Sequence, residues 1–182
     1  KEQPVWQPEA MCTALGFTRA TGYRYLKELV EFGLLKKVSA RHYALGPRII
    51  ELDYQLRQSD PMLLAADPAM HALSQQTGME VVLTVIMGRR QVIDIHRVHA
   101  LKPITTSVAR SRGRTRPMFR GGAPKILLAH LPRAQQQAIY RLHSAEIAEC
   151  GMGHSWEDFK EQLARIKKAG FYLSWGELET SL

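Results

Sequence analysis

The chain has little cysteine. Only Cys12 and Cys150 are present, far apart in sequence, which excludes the disulfide framework of a small secreted domain and points to a reducing interior. Long hydrophobic runs are missing as well. Stretches such as Val81 to Met87 fall far short of the roughly 20 residues that cross a bilayer, and no signal-peptide pattern opens the chain. The expectation is a soluble cytoplasmic protein with no membrane partner. There is no internal repeat or low-complexity tract, and 182 residues suit one ordinary domain or two small ones. Lys1 is not a start methionine, and the chain stops at Leu182 without a turn or polar tail. Natural sequence is therefore expected to be missing at both ends.

Negative charge is scarce. Seventeen acidic residues face 25 basic ones, a formal net charge of +8, which favours a polyanionic partner, nucleic acid first. The 45% hydrophobic content still provides for a packed core. Between Gly16 and Arg48 the imbalance is sharper: Arg19, Arg24, Lys27, Lys36, Lys37, Arg41 and Arg48 stand against Glu28 and Glu31.

That basic stretch has local order. "PEAMCTALG" carries a proline at a plausible first helical position and Gly16 as a stop. "FTRATGYRYLKELVEFG" follows, with Thr18 as N-cap and Gly33 as the next stop. At about 100° per residue, Gly22, Leu26, Leu29, Val30 and Gly33 share one side of this second helix, while Ala20, Arg24, Lys27 and Glu31 lie opposite. "LLKKVSARHYALG" then reads as a small β-hairpin bending around Ser39 to Arg41. Two helices joined tightly and followed by a basic hairpin make a winged helix-turn-helix, whose second helix enters the DNA major groove. On this reading Arg24 is the best base reader, because arginine bonds guanine O6 and N7 together. Thr18, Arg19, Ala20 and Thr21 form the first turn, Tyr23 reaches a phosphate, and Lys27, Lys36, Lys37, Arg41 and His42 hold the backbone.

Pro47 to Gln58 reads as a connecting helix, and "PMLLAADPAMHALSQQTG" continues helical, with Pro68 restarting or kinking it. The period then becomes extended: "EVVLTVIM" and "VIDIHRV" are two strands around "GRRQ", and "ITTSVA" is a further extended run. Helices return at "PKILLAHLP", "AQQQAIYRL" and "WEDFKEQLARIKKAG", and "FYLSW" begins another strand. Locally paired strands flanked by helices give an α+β domain with an antiparallel sheet.

The ordered segments "FTRATGYRYLKELVEFGLLKK", "RHYALGPRIIELDYQL", "TGMEVVLTVIMGRRQVIDIHRV", "RPMFRGGAPKILLAHLP" and "AGFYLSWGELE" resemble the landmarks of the IclR-type transcriptional regulators. The resemblance covers nearly the whole chain. It implies a winged helix-turn-helix over residues 1–46 lacking its first helix, a linker helix over 47–60 used in dimerisation, and a GAF-like effector-binding domain over 61–182 lacking its last strands. Implied partners are double-stranded operator DNA, a small organic acid effector (aromatic acids among the candidates) and further copies of the chain in a homodimer or homotetramer. No cofactor, metal or catalytic residue is implied. Two departures stand out. The family usually has a β-branched residue where this chain has Gly22, and histidine, threonine and glycine where it has Phe119, Gly121 and Pro124. No specific ligand is therefore carried across.

In "RGGAPK" (120–125), Pro124 fits the first position of the next helix. Gly121, Gly122 and Ala123 would then sit at its N-terminus, where free N–H groups and the helix dipole welcome an anion. The glycine spacing and ending of a nucleotide P-loop are missing. In the resembling family the positions matching Gly122 and Ala123 offer backbone contacts to the effector's carboxylate. Met118, Phe119, Arg120, Ser174 and Glu177 complete the implied effector contacts, with Arg120 either turned inward or solvated.

Other readings carry less. A small-molecule enzyme with an accessory basic domain would draw on His96 and His99, Cys150 and His154, or Glu177 and Glu179. Yet His96 and His99 point to opposite faces of a strand, and Cys150 with His154 supplies two of the roughly four ligands a closed zinc site wants. The alternating Arg110, Arg112, Arg114 and Arg116 could form a second phosphate track or a subunit contact, but an exposed edge kept soluble by charge is the preferred reading.

Overall fold

The computed structural model describes residues 5–88, 91–99 and 112–177. They form two compact units that divide between Leu64 and Ala65.

In the first unit, α1 (Pro8–Leu15) starts on its proline and ends at left-handed Gly16. α2 (Arg19–Glu31) is capped by the Thr18 hydroxyl, which accepts the Thr21 N–H at 3.3 Å. A cap of this kind contributes about 1 kcal/mol. β1 (Leu35–Ser39) and β2 (His42–Leu45) pair antiparallel, with Lys37 opposite Tyr43. Trp6 extends this ladder, exchanging both backbone hydrogen bonds with Tyr43 at 2.8 and 2.9 Å. The chain leading into α1 is thus tied to the hairpin that follows α2.

Cys12, Leu26 and Tyr43 are buried in this unit. The expected apolar side of α2 is narrower than its periodicity suggests, because Leu29 is exposed. Gly22 accounts for the close approach of the two helices: a Cβ placed there would lie 2.0 Å from the Cys12 sulfur. The thiol fills the space that a side chain at position 22 would take.

α3 (Arg48–Ser59) buries none of its residues. α4 (Pro61–Thr77) runs through Pro68 without ending. Proline has no N–H to offer the carbonyl of Leu64 four residues earlier, and the two units divide right after Leu64.

The second unit is α+β with an antiparallel sheet in the order β3-β4-β5. β3 (Val81–Met87) and β4 (Gln91–Val98) form a hairpin with an irregularity between Leu83 and Thr84. β5 (Thr115–Pro117) pairs with the start of β4, placing Arg116 opposite Val92. α5 (Gly122–His130), α6 (Arg133–Glu149) and α7 (Trp156–Ala169) follow. Met118, Phe119, Leu128, Ile139, Ile147, Phe159, Leu163 and Ile166 form the apolar core, with Ile86 of β3 packed against it. Full burial of such a side chain contributes about 1.5–3 kcal/mol. α7 is held at its start by a capping box between Ser155 and Asp158.

Three expectations change. α5 begins at Gly122, not at Pro124, so Gly121 is the N-cap; proline fits at the third position because the N–H it lacks would have had no partner in the first turn. Residues 171–174, "FYLS", form no strand, because no neighbouring strand among the described residues pairs with them. The arginine run is not a uniform exposed edge. Arg116 lies 12% exposed and bonds Asp94 at 2.5 Å and the Thr84 hydroxyl at 3.1 Å, while Arg112 donates to the Ile95 carbonyl. The extended run "ITTSVA" and Arg110 lie outside the described residues.

The Gly22 contact predicts a strongly non-additive pair. Gly22→Ala should lower stability, because the added methyl meets the thiol. In a Cys12→Ala background the same change should stabilise by up to about 1 kcal/mol, as alanine normally does in a helix. Denaturant unfolding of the four proteins measures the coupling, and additive effects would show that the helices do not meet there.

Candidate functional site

Two places gather residues with chemistry beyond packing. The first is the basic surface of α2 and the hairpin. Thr18 and Thr21 are spent on the cap, their hydroxyls bonded at 3.0 Å, so their polar atoms face α2's own first turn. Ala20, Arg24 and Lys27 are exposed along the helix, as are Lys36, Lys37 and Arg41 on the hairpin. His42 is half-buried, its Nδ1 2.8 Å from the Ser39 hydroxyl.

The arginines of α2 are braced by aromatic rings. Arg24 sits over the Tyr25 ring at 5.7 Å, and Tyr25 packs on Phe17 at 5.3 Å. Arg19 lies 5.6 Å from the centre of the Tyr23 ring. Cation–π contacts of this kind contribute about 0.5–1 kcal/mol at exposed sites and reduce the freedom the guanidinium has left to lose on binding.

Glu9, which the sequence reading passed over, faces the same cluster from α1. Its carboxylate accepts the Tyr23 hydroxyl at 3.2 Å and lies 3.6 Å from Arg19. Its own backbone N–H, the Tyr23 hydroxyl and the charges of Arg19 and Arg41 hold it below the usual carboxylate range despite some desolvation. Tyr23, expected to reach a phosphate, is bonded within the protein in this structure. Nothing in the spacing of the two helices marked Glu9, since its partners come from the packing of α1 on α2.

The second place is the N-terminus of α5. Gly121 has φ 87°, a conformation that disfavours any side chain. Gly122 lies under the chain that follows α7: a Cβ there would stand 2.8 Å from the Tyr172 carbonyl. The Ser174 hydroxyl is 3.8 Å from the same point. Ala123 is exposed.

The anion expected at this terminus comes from within the chain. Glu177 Oε2 accepts the Gly121 N–H at 2.9 Å and the Lys125 ammonium at 2.7 Å, while the Tyr172 hydroxyl donates to its other oxygen at 3.4 Å. Lys125 is 3% exposed and also donates to the Tyr172 hydroxyl at 3.1 Å. Burial pushes the Glu177 carboxyl up, but Lys125, the Gly121 N–H and the Tyr172 hydroxyl outweigh it and hold the group below its usual value.

The other expected contacts divide. Met118 and Phe119 are buried in the apolar core, and their side chains pack there instead of lining an open surface. Arg120 turns toward Cys150, where its charge and hydrogen bond oppose the upward push of burial on the thiol. Lys125 and Tyr172 were missed. Lys125 closes "RGGAPK", but its burial depends on Tyr172 and Glu177, which lie 47 and 52 residues further along the chain.

Of the enzyme candidates, His96 bonds through its ring, whereas the described bonds of His99 and His154 run through their backbones. His96 Nε2 bonds Asp67 at 2.7 Å, and the His99 carbonyl accepts the Ser74 hydroxyl. His154 uses its backbone, donating to Asp158 at 3.2 Å and accepting from Tyr140 at 3.2 Å. Glu179 lies outside the described residues. Among the described residues no group of three or more His, Cys, Asp or Glu is placed to hold a metal ion, and no helix is long and apolar enough to cross a membrane.

The chain also resembles known proteins in sequence and in fold. The chain is 28% identical over 164 residues to the HTH-type transcriptional regulator RhmR of Escherichia coli, covering 90% of this chain and 62% of that relative's length. An IclR transcriptional regulator from Alicyclobacillus acidocaldarius superposes with a TM-score of 0.72 at 21% identity, over 96% of this chain and 70% of that one. An IclR homologue from Microbacterium hydrocarbonoxydans, crystallised with 4-hydroxybenzoate, superposes with a TM-score of 0.62 at 19% identity, over 93% of this chain and 69% of that one. The family defined by the C-terminal part of the bacterial transcriptional regulator IclR matches residues 56–182, and this chain belongs to it.

Proposed function

We propose that the protein binds operator DNA through a winged helix-turn-helix formed by α1, α2 and the β1–β2 hairpin, and that a small organic acid bound in its second unit controls that affinity. The observation that carries the DNA reading is the exposure of Arg24, Lys27, Lys36, Lys37 and Arg41 on one helix and one hairpin. Solvated cations gain by exchanging water and counterions for phosphate. Arg24 reads a base edge from a guanidinium already steadied by Tyr25, and the hairpin lysines hold the backbone. Glu9 keeps Arg19 and Tyr23 together on the α1 side of the same surface.

The effector reading rests on the α5 N-terminus, where the chain places a carboxylate. The relative crystallised with 4-hydroxybenzoate supports a small acid as the kind of molecule to try. Control then requires the acid to bind one conformation better than another.

The working form is a homodimer or homotetramer in which α3 contributes to the contact. Ile50, Tyr54 and Leu56 are 74%, 64% and 47% exposed, and α3 buries nothing of its own. A second copy would remove these side chains from water.

Three outcomes follow. Arg24→Ala should cost about 1–3 kcal/mol on the cognate operator and relax preference at one base position, whereas Lys37→Ala should weaken all sequences alike. Equal losses on operator and random DNA for Arg24→Ala, read by fluorescence anisotropy, would count against base reading. Ile50→Glu combined with Tyr54→Glu should lower the mass measured by sedimentation, and an unchanged assembly would remove α3 from the contact. A panel of small carboxylic acids, aromatic ones included, should raise the melting temperature of the full-length protein. A panel that leaves it unmoved sinks the sensor reading.

A further inference from the structure

One carboxylate stands where the first unit would be expected to be most basic. Glu28 and Glu31 lie in the second half of α2, but Glu9 meets the first turns of that helix, 3.6 Å from Arg19 and accepting the Tyr23 hydroxyl at 3.2 Å. In a helix-turn-helix the first residues of the second helix are the ones that reach the groove. A fixed negative charge at that end opposes a polyanion where the approach is closest.

Glu9 is held in place from the side of the hairpin. Trp6 exchanges both backbone hydrogen bonds with Tyr43, the Gln7 side chain lies 3.4 Å from His42 Nε2, and Pro8 is buried. The next residue therefore leaves from a fixed point. Arg19 and Tyr23 face it from α2, and Arg41 at the hairpin turn adds its charge. The carboxyl stays below its usual range, first through its own backbone N–H, so it is ionised at neutral pH. The side chains of Glu9 and Arg19 are 54% and 77% exposed, and neither is sealed from an approaching phosphate.

We propose that Glu9 sets the register of DNA on this surface: its carboxylate turns phosphates away from the start of α1 and holds Arg19 and Tyr23 so that a phosphate is bonded only on their far side. This rests on the DNA reading above and adds a residue that works by repulsion. A guanidinium has five N–H donors, so Arg19 keeps Glu9 behind it and takes a phosphate in front. On operator DNA the base contacts of Arg24 fix one register, in which the phosphate falls beyond Arg19. Random DNA is bound in many registers, and those that bring a phosphate against Glu9 set like charges together. Discrimination by penalising wrong arrangements needs a repulsive element of this kind. Glu9 is a positioning residue and reads no base itself.

The test uses the full-length protein, an operator duplex recovered by in vitro selection with the wild type, and a random-sequence duplex of the same length, both followed by fluorescence anisotropy across a salt series. Glu9→Gln keeps an oxygen for the Tyr23 hydroxyl and removes the charge. It should bind random DNA about two- to fivefold more tightly, the worth of releasing one exposed ion pair, with the slope of log K against log salt steeper by about 0.9. Operator affinity should stay level or fall, so the operator-to-random ratio drops. Glu9→Asp, which keeps the charge, should keep the wild-type ratio. In an Arg19→Gln background the steeper slope should vanish, because the freed guanidinium supplies the added contact. No gain on random DNA, equal gains on both duplexes, losses on both, a Glu9→Asp protein that behaves like Glu9→Gln, or a slope that steepens without Arg19 each overturns the proposal and leaves the DNA reading standing. A wild type that selects no sequence and binds random DNA without salt dependence overturns both.

Discussion

The second unit is organised around a buried ammonium. Lys125 lies inside the protein at the start of α5, and an uncompensated charge there would cost several kcal/mol. Its neighbours answer that constraint. Glu177 supplies the counter-charge, Tyr172 lays its ring and hydroxyl against the ammonium, and Gly121 adds an N–H to the same carboxylate. The absence of a side chain on Gly122 admits the returning chain. The positive end of a helix, which by itself attracts anions weakly, becomes a defined place because a lysine is sealed in next to it.

What the sequence made legible is mostly what is decided within a few residues. Thr18, Gly16 and Gly33 mark the ends of α1 and α2 because capping is local. The hairpins β1–β2 and β3–β4 are likewise local, and both form as antiparallel pairs of neighbouring strands. The α5 N-terminus reads as a helix start from Pro124 and the glycines before it, a local signal. The start of α5 was misplaced because proline suits any position in a first turn, so Pro124 marked the turn without marking its first residue.

The illegible part depends on contacts between distant positions. Arg116 read as one member of an alternating basic run, yet Asp94 and Thr84 draw it into the sheet from 22 and 32 residues away. Met118 and Phe119 read as effector contacts through the resemblance, and their side chains share the core cluster with residues of α5, α6 and α7 far along the chain. Gly22 read as a costly departure in a helix interior. Its cause lies across the helix pair, in a cysteine whose sulfur takes the volume a side chain would claim. A lone glycine or arginine carries no sign of the partner that explains it.

The Asp94–Arg116 pair ties the short strand β5 to β4, and Met118 to Arg120 are all that separate β5 from the N-cap of α5. In a sheet, a slip of one residue turns every side chain to the opposite face. A three-residue strand has few backbone bonds to resist such a slip. The ion pair therefore works as an alignment pin: it sets the phase of β5, and through the brief connection it sets where the mouth of α5 opens. A charge buried in the sheet, touching no ligand, fixes the address of the site that would receive one.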